Sequence, residues 1–354
     1  MEEQNSEVPL PGPARIRVGI VYNLKSGNAP TGVPDEEAEY DSIDTVMAIK
    51  KALERGGCDV SLIEDDGRLP EKLMRAREEI DIAFNIAEGR GGRGREGQVP
   101  SLLGYLGIPY TGSDETALCV SLDKDLTKRI AASYGVKTPK SVLIKAGKLL
   151  KCDISGLKFP VIVKPNAEGS GKGIIGTSIA ETPDALVTLL AERMNTYRCD
   201  FIVEEFIDGR EFTVGLLGNR EETRVLRPME LVFCRHTEGN YNVYGYHVKC
   251  NYKDYIDYVC PARITPEQEK KLAEAALAVY NALGCRDFSR VDFRFDRHGE
   301  VYFLEINPLP GLAPGYSDFP MLAEASGIPY DDLIISILGA ARKRLGPYSG
   351  VSGK

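Results

Sequence analysis

The chain has 354 residues, 43% hydrophobic and 27% charged, the balance of a globular protein with room for two or three domains of about 100–200 residues. Its formal net charge of -8 argues against a general nucleic-acid binder, which needs clustered Lys and Arg; Arg90, Arg93 and Arg95 are too short a cluster to change this, and read equally as a local anion site or a solvated loop. No apolar run approaches the roughly 18 residues of a membrane span, and eight scattered cysteines with no Cys-x-x-Cys pair exclude ordinary zinc spacing.

Residues 1–14 read as a flexible acidic, proline-rich tail without a signal-peptide pattern, which predicts reduced cysteines and a cytoplasmic location. Order is expected from Arg15 to Tyr22, a buried strand, followed by a loop rich in Gly, Pro and Asn. A helix follows from about Ser42 to Arg55, with Val46, Ile49 and Leu53 on one face and Asp41 or Ser42 as N-cap. Cys58–Glu64 is a second strand, Glu71–Glu79 a helix and Ile80–Ile86 a third strand. Strands alternating with helices predict a parallel sheet covered on both faces, with ligands beyond the carboxyl ends of its strands. The loops at 23–40 and 87–97 leave those ends and are candidate site loops.

After a helix at Asp123–Tyr134 the pattern changes. Strands at Ser141–Ile144, Val161–Pro165, Asp200–Glu205 and Glu211–Leu217 surround a glycine-rich loop and a helix at 182–192, a small α+β unit. Strands at 226–234, 290–296 and 300–306, a helix at 265–283 and a closing helix at 331–345 complete the chain. The divisions expected are 15–116, 117–215 and 216–346, with 347–354 as a tail.

Three segments carry chemistry. The apolar strand Phe159–Val163 ends in Lys164 and runs into Gly169-Ser170-Gly171-Lys172-Gly173. Such glycines let backbone N–H groups approach phosphate oxygens, although an ordinary hairpin loop has the same look. The strand-end lysine favours phosphate, because its stem can lie along an apolar wall while its charge reaches out. The loop lacks Walker A spacing and a dinucleotide-binding βαβ unit. The second segment, Val203 to Val214, reads as strand, turn, strand. Glu204 and Glu211 flank the turn and offer backbone amides and a carboxylate to a nucleotide, or form a solvated hairpin. The third is a hairpin, Ser289–Asp296 and Val301–Asn307, joined by Asp296-Arg297-His298-Gly299. Arg290, Asp292, Arg294 and Asp296 share one face, and Glu305 and Asn307 share a face on the partner strand. These oxygens suit magnesium, and the alternative is a half-exposed sheet with charged pairs. The apolar turn Pro308–Leu312 beyond Asn307 favours metal, since unpaired carboxylates in a buried corner are costly.

In order and spacing these segments, with Gly97-Gln98, Leu106–Ser113 and Leu122-Asp123-Lys124, resemble the ATP-grasp superfamily and, within it, the D-alanine–D-alanine ligases, from about residue 15 to 345. The resemblance implies an N-terminal parallel-sheet (pre-ATP-grasp) domain followed by a two-part α+β ATP-grasp fold. It implies Lys124 and Lys164 on the ATP phosphates and the loop of Gly169, Ser170, Gly171, Lys172 and Gly173 as a lid over them, with Lys249 in a second lid segment. Glu204, Phe206 and Ile207 fall at adenine and Glu211 at ribose. Asp292, Glu305 and Asn307 match ligands of two Mg²⁺ ions, with Mn²⁺ as a substitute, and Arg290 the arginine that stabilises the tetrahedral intermediate. Gly311 and Ser317 fall at the acceptor's carboxylate; Glu37 or Glu39, linked to Ser170, matches the grip on the first substrate's amino group. The implied reaction makes an acylphosphate from a small carboxylate or amino acid and ATP, then a dipeptide. No nucleic acid or membrane partner is implied, and a homodimer through the N-terminal domain is. The chain departs from the pattern in three places: a histidine expected before the Gly-rich part of the 87–97 loop is missing, the chain reading Asn85-Ile86-Ala87-Glu88-Gly89; that loop is about two residues longer; and Cys250 stands where a tyrosine is expected. Cys250 is either a thiol activated by Lys249 or a small space-filling residue. The departures set beside the D-alanine ligase reading a ligase joining other amino acids or a non-peptide carboxylate; a third reading, an ATP-binding regulator without catalysis, is opposed by the presence of Arg290, Asp292, Glu305 and Asn307 together.

Overall fold

The computed structural model describes residues 15–25, 37, 39–147, 153–169, 171, 174, 178–237 and 240–346. Both expected tails, together with Ser170, Lys172 and Gly173, lie outside them.

Strand β1 (Arg17–Tyr22) opens the first sheet. Helix α1 (Ile43–Arg55) starts where Ser42 Oγ accepts from Thr45 N, so Ser42 rather than Asp41 is the cap, and it buries Val46, Ile49 and Leu53 as its spacing predicts. Then follow β2 (Asp59–Glu64), α2 (Leu69–Ala76) and β3 (Ile82–Asn85), giving a parallel sheet of order β2-β1-β3. Helix α2 begins two residues earlier than its pattern suggests, because Pro70 in its first turn needs no hydrogen-bond acceptor. The 3₁₀ turn Arg95–Gly97 leads into α3 (Gln98–Tyr105) and α4 (Glu115–Leu122), two helices the sequence reading did not anticipate. Both are eight residues long and mostly apolar, so neither displays an amphipathic stripe. Both faces of the sheet are covered: Leu69, Leu73, Val99 and Leu103 pack on one, and α1 on the other.

Helix α5 (Lys124–Ser133) is capped by Asp123, whose Oδ1 accepts from Leu126 N. The central unit comprises β4 (Ser141–Ile144), β5 (Val161–Pro165), β6 (Ile179–Ala180), α6 (Pro183–Tyr197) and β7 (Phe201–Glu205), with antiparallel order β4-β7-β5-β6. The last sheet is built from β8 (Gly209–Leu217), β9 (Arg224–Val225) and β10 (Met229–Phe233). After the short helices α7 (Tyr246–Cys250) and α8 (Tyr252–Tyr255) come β11 (Ile256–Val259), α9 (Pro266–Ala282), β12 (Phe288–Asp296) and β13 (Val301–Asn307). Its order is β11-β10-β8-β12-β13, with β9 on β8. Helices α10 (Asp318–Ala325) and α11 (Tyr330–Leu345) close the chain.

Helix α11 returns to the first sheet. Leu333, Ile334, Ile337 and Leu338 join Val18, Ile20, Ile49 and Phe288 in one core. The first and last parts of the chain thus share a buried face, and the loops leaving β1 and β3 end beside the hairpin of β12 and β13. The fold is mixed α/β: a three-stranded parallel sheet followed by antiparallel sheets.

Candidate active site

Strands β12 and β13 pair antiparallel with Arg290 opposite Asn307 and Asp292 opposite Glu305. A bulge after Asp292 keeps all four side chains at one end of the hairpin. Asp292 Oδ1 accepts from Thr213 Oγ1 (2.6 Å) and Arg290 Nε (3.0 Å); Oδ2 accepts from Arg290 Nη2 (2.9 Å) and Asn307 Nδ2 (3.4 Å). Arg290 also donates to Asp318 Oδ2 (2.9 Å). The guanidinium between two carboxylates is held firmly charged. Burial pushes the Asp292 carboxyl up, while the neighbouring Lys124, Lys164 and Arg290 hold Glu305 at about 2.

The lysines reach the same place from the central sheet. Lys124 Nζ lies 3.3 Å from Glu305 Oε2 and donates to Glu168 O (2.5 Å). Lys164 Nζ lies 2.8 Å from Glu204 Oε2. Lys128, which the sequence reading passed over, stands 3.3 Å from the other oxygen of Glu204 and donates to Leu304 O (2.6 Å). It is one helical turn beyond Lys124, so the spacing that brings both to one face was available. Burial lowers Lys128 to about 8.

Two adjoining cavities share Lys124, Glu168, Tyr244, Lys249, Arg290 and Glu305 as walls. The smaller, about 100 Å³, is lined by Lys164, Gly171, Phe206, Ile207, Glu211 and Asp292 among others. There the Glu204 carboxylate lies 2.8 Å from Lys164 Nζ and 3.3 Å from Lys128 Nζ, and the Phe206 amide donates to Pro160 O (3.0 Å). The Glu211 carboxylate takes two hydrogen bonds from Arg294 on Oε2, at 3.0 and 2.6 Å. The larger cavity, about 310 Å³, runs from Arg290 and Asn307 past Gly311 and Ser317 to Glu39, Glu88 and Glu96. Gly311 leaves only 2.8 Å between an added Cβ and Ser317 Oγ, and that hydroxyl accepts from Ala313 N (3.1 Å). Cys250 lines this cavity but is exposed, so it fills no buried space. Lys249 is half-buried and lines both cavities, and desolvation together with Arg290 lowers its pKa.

Of the two glutamates in the first loop, Glu39 reaches the cavity, whereas Glu37 lines neither cavity and its carbonyl closes a turn to Tyr40 N (3.2 Å). Glu39 Oε1 accepts from Arg95 Nη2 (2.5 Å) and from Gly169 N (2.7 Å), and Oε2 from Arg95 Nε (3.0 Å). Of the three arginines of the 87–97 loop, Arg90 and Arg93 are solvated, with side chains 56% and 60% exposed, and only Arg95 is buried. Each has its own carboxylate: Arg90 with Asp65, Arg93 with Asp123 and Arg95 with Glu39. Gly89 makes this loop possible: its φ is +75°, and a Cβ would sit 2.1 Å from Arg95 O.

The D-ala D-ala ligase C-terminus model matches residues 132–339. The D-alanine–D-alanine ligase of Aquifex aeolicus is 36% identical over 301 residues, covering 84% of this chain and 94% of that protein. The chain belongs to the D-alanine–D-alanine ligase family. A second relative, the D-alanine–D-alanine ligase of Carboxydothermus hydrogenoformans, is also 36% identical, with 84% of this chain and 92% of that protein covered. The solved D-alanine–D-alanine ligase of Bacillus anthracis complexed with ATP has a TM-score of 0.73 and 25% identity over 94% of this chain and 100% of that one. The family is one of ATP-dependent ligases of the ATP-grasp fold, and the mixed sheets described above are that fold. The family membership explains why two lysines from one sheet and two carboxylates from another meet at one cleft.

Proposed function

We propose that this chain is an ADP-forming ligase that turns a substrate carboxylate into an acylphosphate with ATP and passes the acyl group to the amine of a second small substrate, as in dipeptide formation by D-alanine–D-alanine ligases. The observation that carries the reading is the meeting of Lys124 with Glu305 at 3.3 Å, beside Arg290, Asp292 and Asn307 on the adjoining strands. ATP lies with its phosphates toward Lys124 and Lys164 and its base toward Phe206 and Ile207, leaving Glu211 Oε1 for the ribose.

Asp292, Glu305 and Asn307 fit magnesium: the donors are all oxygen, and the Asn307 amide turns its nitrogen to Asp292, which leaves its oxygen for an ion. Bound Mg²⁺ would neutralise phosphate charge during transfer. The rest falls to the chain's own residues. Lys124 and Lys164 hold the phosphates in line. Arg290, fixed by Asp292 and Asp318, faces the negative charge that develops when the amine attacks the acyl carbon. Gly169 lies against Glu39 and Gly171 against Tyr246, so the cleft can exclude the water that would hydrolyse an acylphosphate.

A second reading keeps this chemistry but changes the amino acids. It is favoured by Cys250, which is exposed where the resemblance expects a tyrosine, and by Arg95, which occupies the glutamate expected to grip the first substrate. The test is release of ADP and phosphate with a panel of D- and L-amino acids. Turnover with D-alanine supports the first reading, and turnover only with another pair supports the second. ATP binding with no ADP from any carboxylate would sink both.

A further inference from the structure

Arg294 stands in the wall of the smaller cavity, on β12, and is only 5% exposed. A guanidinium so deep is tolerated only where acceptors surround it. All of its nitrogens have one. Nε and Nη2 both donate to Glu211 Oε2, at 3.0 and 2.6 Å, from the position directly opposite on β8. Nη1 donates to Ile207 O (2.9 Å), between β7 and β8. Nη2 donates also to Asn242 O (2.6 Å), just before the segment that brings Tyr244 and Lys249 to both cavities. The guanidinium carbon lies 4.8 Å from the centre of the Phe206 ring. The bonding to Glu211 is lopsided: both arginine bonds fall on Oε2, and Oε1 takes no hydrogen bond from the described residues. The ligation chemistry above gives Arg294 no step, yet it touches the Glu211 carboxylate, the Phe206 ring and the Ile207 carbonyl together.

We propose that Arg294 is a positioning residue of the nucleotide pocket: by taking Glu211 Oε2 twice it leaves Oε1 turned toward the ribose hydroxyls, and so makes the pocket select for a ribonucleotide. The proposal rests on the placement of ATP given above and deepens it. A free glutamate side chain loses rotamer freedom when it takes a ribose hydroxyl, whereas one already fixed by charge-assisted bonds has lost it in advance. The planar guanidinium is what fixes it. A lysine would keep the charge as a single rotatable point, and a methionine would match the stem without the charge. Bonds to Ile207 O and Asn242 O from the same plane hold the wall beside the base in register with that carboxylate. Arg294 lies away from the phosphate-binding lysines, so its effect falls on nucleotide affinity and on the choice between ribose and deoxyribose.

The test is titration calorimetry of the full chain with Mg²⁺ and ADP, 2′-deoxy-ADP or 3′-deoxy-ADP. The proteins compared are wild type, Arg294→Lys, Arg294→Met, Glu211→Gln and the Arg294→Met/Glu211→Gln double variant. Wild type should bind ADP about tenfold or more tighter than at least one deoxy analogue, the scale of one charge-assisted hydrogen bond. Both arginine variants should bind ADP about tenfold more weakly and narrow that preference to about twofold or less. The double variant should bind ADP no more weakly than the poorer of its parents, because the two residues act as a unit. Circular dichroism and thermal melts are the folding controls. Arg294→Lys leaves Glu211 a counter-charge, so it answers the question even where Arg294→Met does not fold. An arginine with a merely structural role would weaken ADP and its deoxy analogues by the same factor and leave the preference whole. That result overturns the proposal, as do additive losses in the double variant or a wild type that does not distinguish the three nucleotides. Absence of any ADP binding would sink the placement of ATP itself. Failure of the ligase reading shows separately, as intact hydroxyl selection in a protein that releases no ADP from ATP with any carboxylate.

Discussion

Lys164 Nζ and Glu204 Oε2 face each other from paired strands at 2.8 Å, and Lys128 closes the other side of the same carboxylate at 3.3 Å. The glutamate is 1% exposed, so its charge is retained only because two lysines surround it. One carboxylate between two ammonium groups leaves positive charge in surplus at the mouth of the smaller cavity. Glu204 is therefore a positioning residue for Lys164. Glu204→Gln is expected to raise KM for ATP by about tenfold and to lower unfolding stability by about 3 kcal/mol, because two buried lysines lose their counter-charge. Urea unfolding and ATP-dependent kinetics check this. A variant with unchanged stability and unchanged KM would show that the ion pair does nothing for either.

Asp292 accepts from Thr213, Arg290 and Asn307, so it organises the cleft as well as offering oxygens to an ion. Asp292→Asn preserves shape and removes charge. Loss of kcat by about 10³-fold is expected, the scale of removing one preorganised electrostatic group. Chelation with EDTA should silence the wild-type protein reversibly, with activity restored by Mg²⁺. Activity that persists after chelation would remove the ion from the scheme.

The hairpin of β12 and β13 was legible because its two strands alternate in period two around an Asp-Arg-His-Gly turn, and that local pattern suffices to put Arg290, Asp292, Glu305 and Asn307 on one face. The alternating strands and helices before residue 90 gave up the parallel sheet in the same way. What the sequence hid depends on contacts between distant segments. Arg95 looked like one of three surface arginines, but its partner Glu39 lies 56 positions away. Lys128 carried a signal in its spacing from Lys124, yet nothing local says that Glu204 and the carbonyl of Leu304 will surround it. Helix α4 is too short and too mostly apolar to show an amphipathic stripe, and in α3 Pro100 and Gly104 interrupt an already short segment.

Glu96 makes stability fall as pH rises. Its pKa is about 8 in the folded protein against an ordinary 4.5, so between those values the folded chain holds more protons than the unfolded one. The slope of unfolding free energy with pH is then negative: the contribution is intact below 4.5 and is lost as pH climbs through 8. At about 1.4 kcal/mol per pK unit the effect is on the order of a few kcal/mol. Glu96→Gln should therefore unfold at higher urea than the wild type at pH 8 and at nearly the same urea at pH 4.5. A variant less stable than wild type at pH 8 would mean that Glu96 has a partner that satisfies its charge.

Asp287 ties the first part of the chain to the last. Its side chain is fully buried, accepts from Gly112 N and Asn219 Nδ2 at 2.8 Å each, and takes Arg344 Nε and Nη2 at 3.1 and 2.8 Å. Gly112 follows the loop after β3 and Arg344 ends α11, so one carboxylate holds the parallel sheet against the closing helix. Asp287→Asn keeps the size and tolerates the backbone φ of +65°. It removes the charge and turns an N–H toward donors. A loss of about 3–5 kcal/mol is expected, the cost of stranding a buried guanidinium. The exposed pair Arg55–Asp331 is the control, with side chains 67% and 38% exposed, and Asp331→Asn should cost about 0–1 kcal/mol. Urea denaturation of the two variants side by side separates a structural tie from ordinary surface charge. Equal losses would place the strength of the junction in the shared apolar core of Ile49, Phe288 and Ile337 rather than in Asp287.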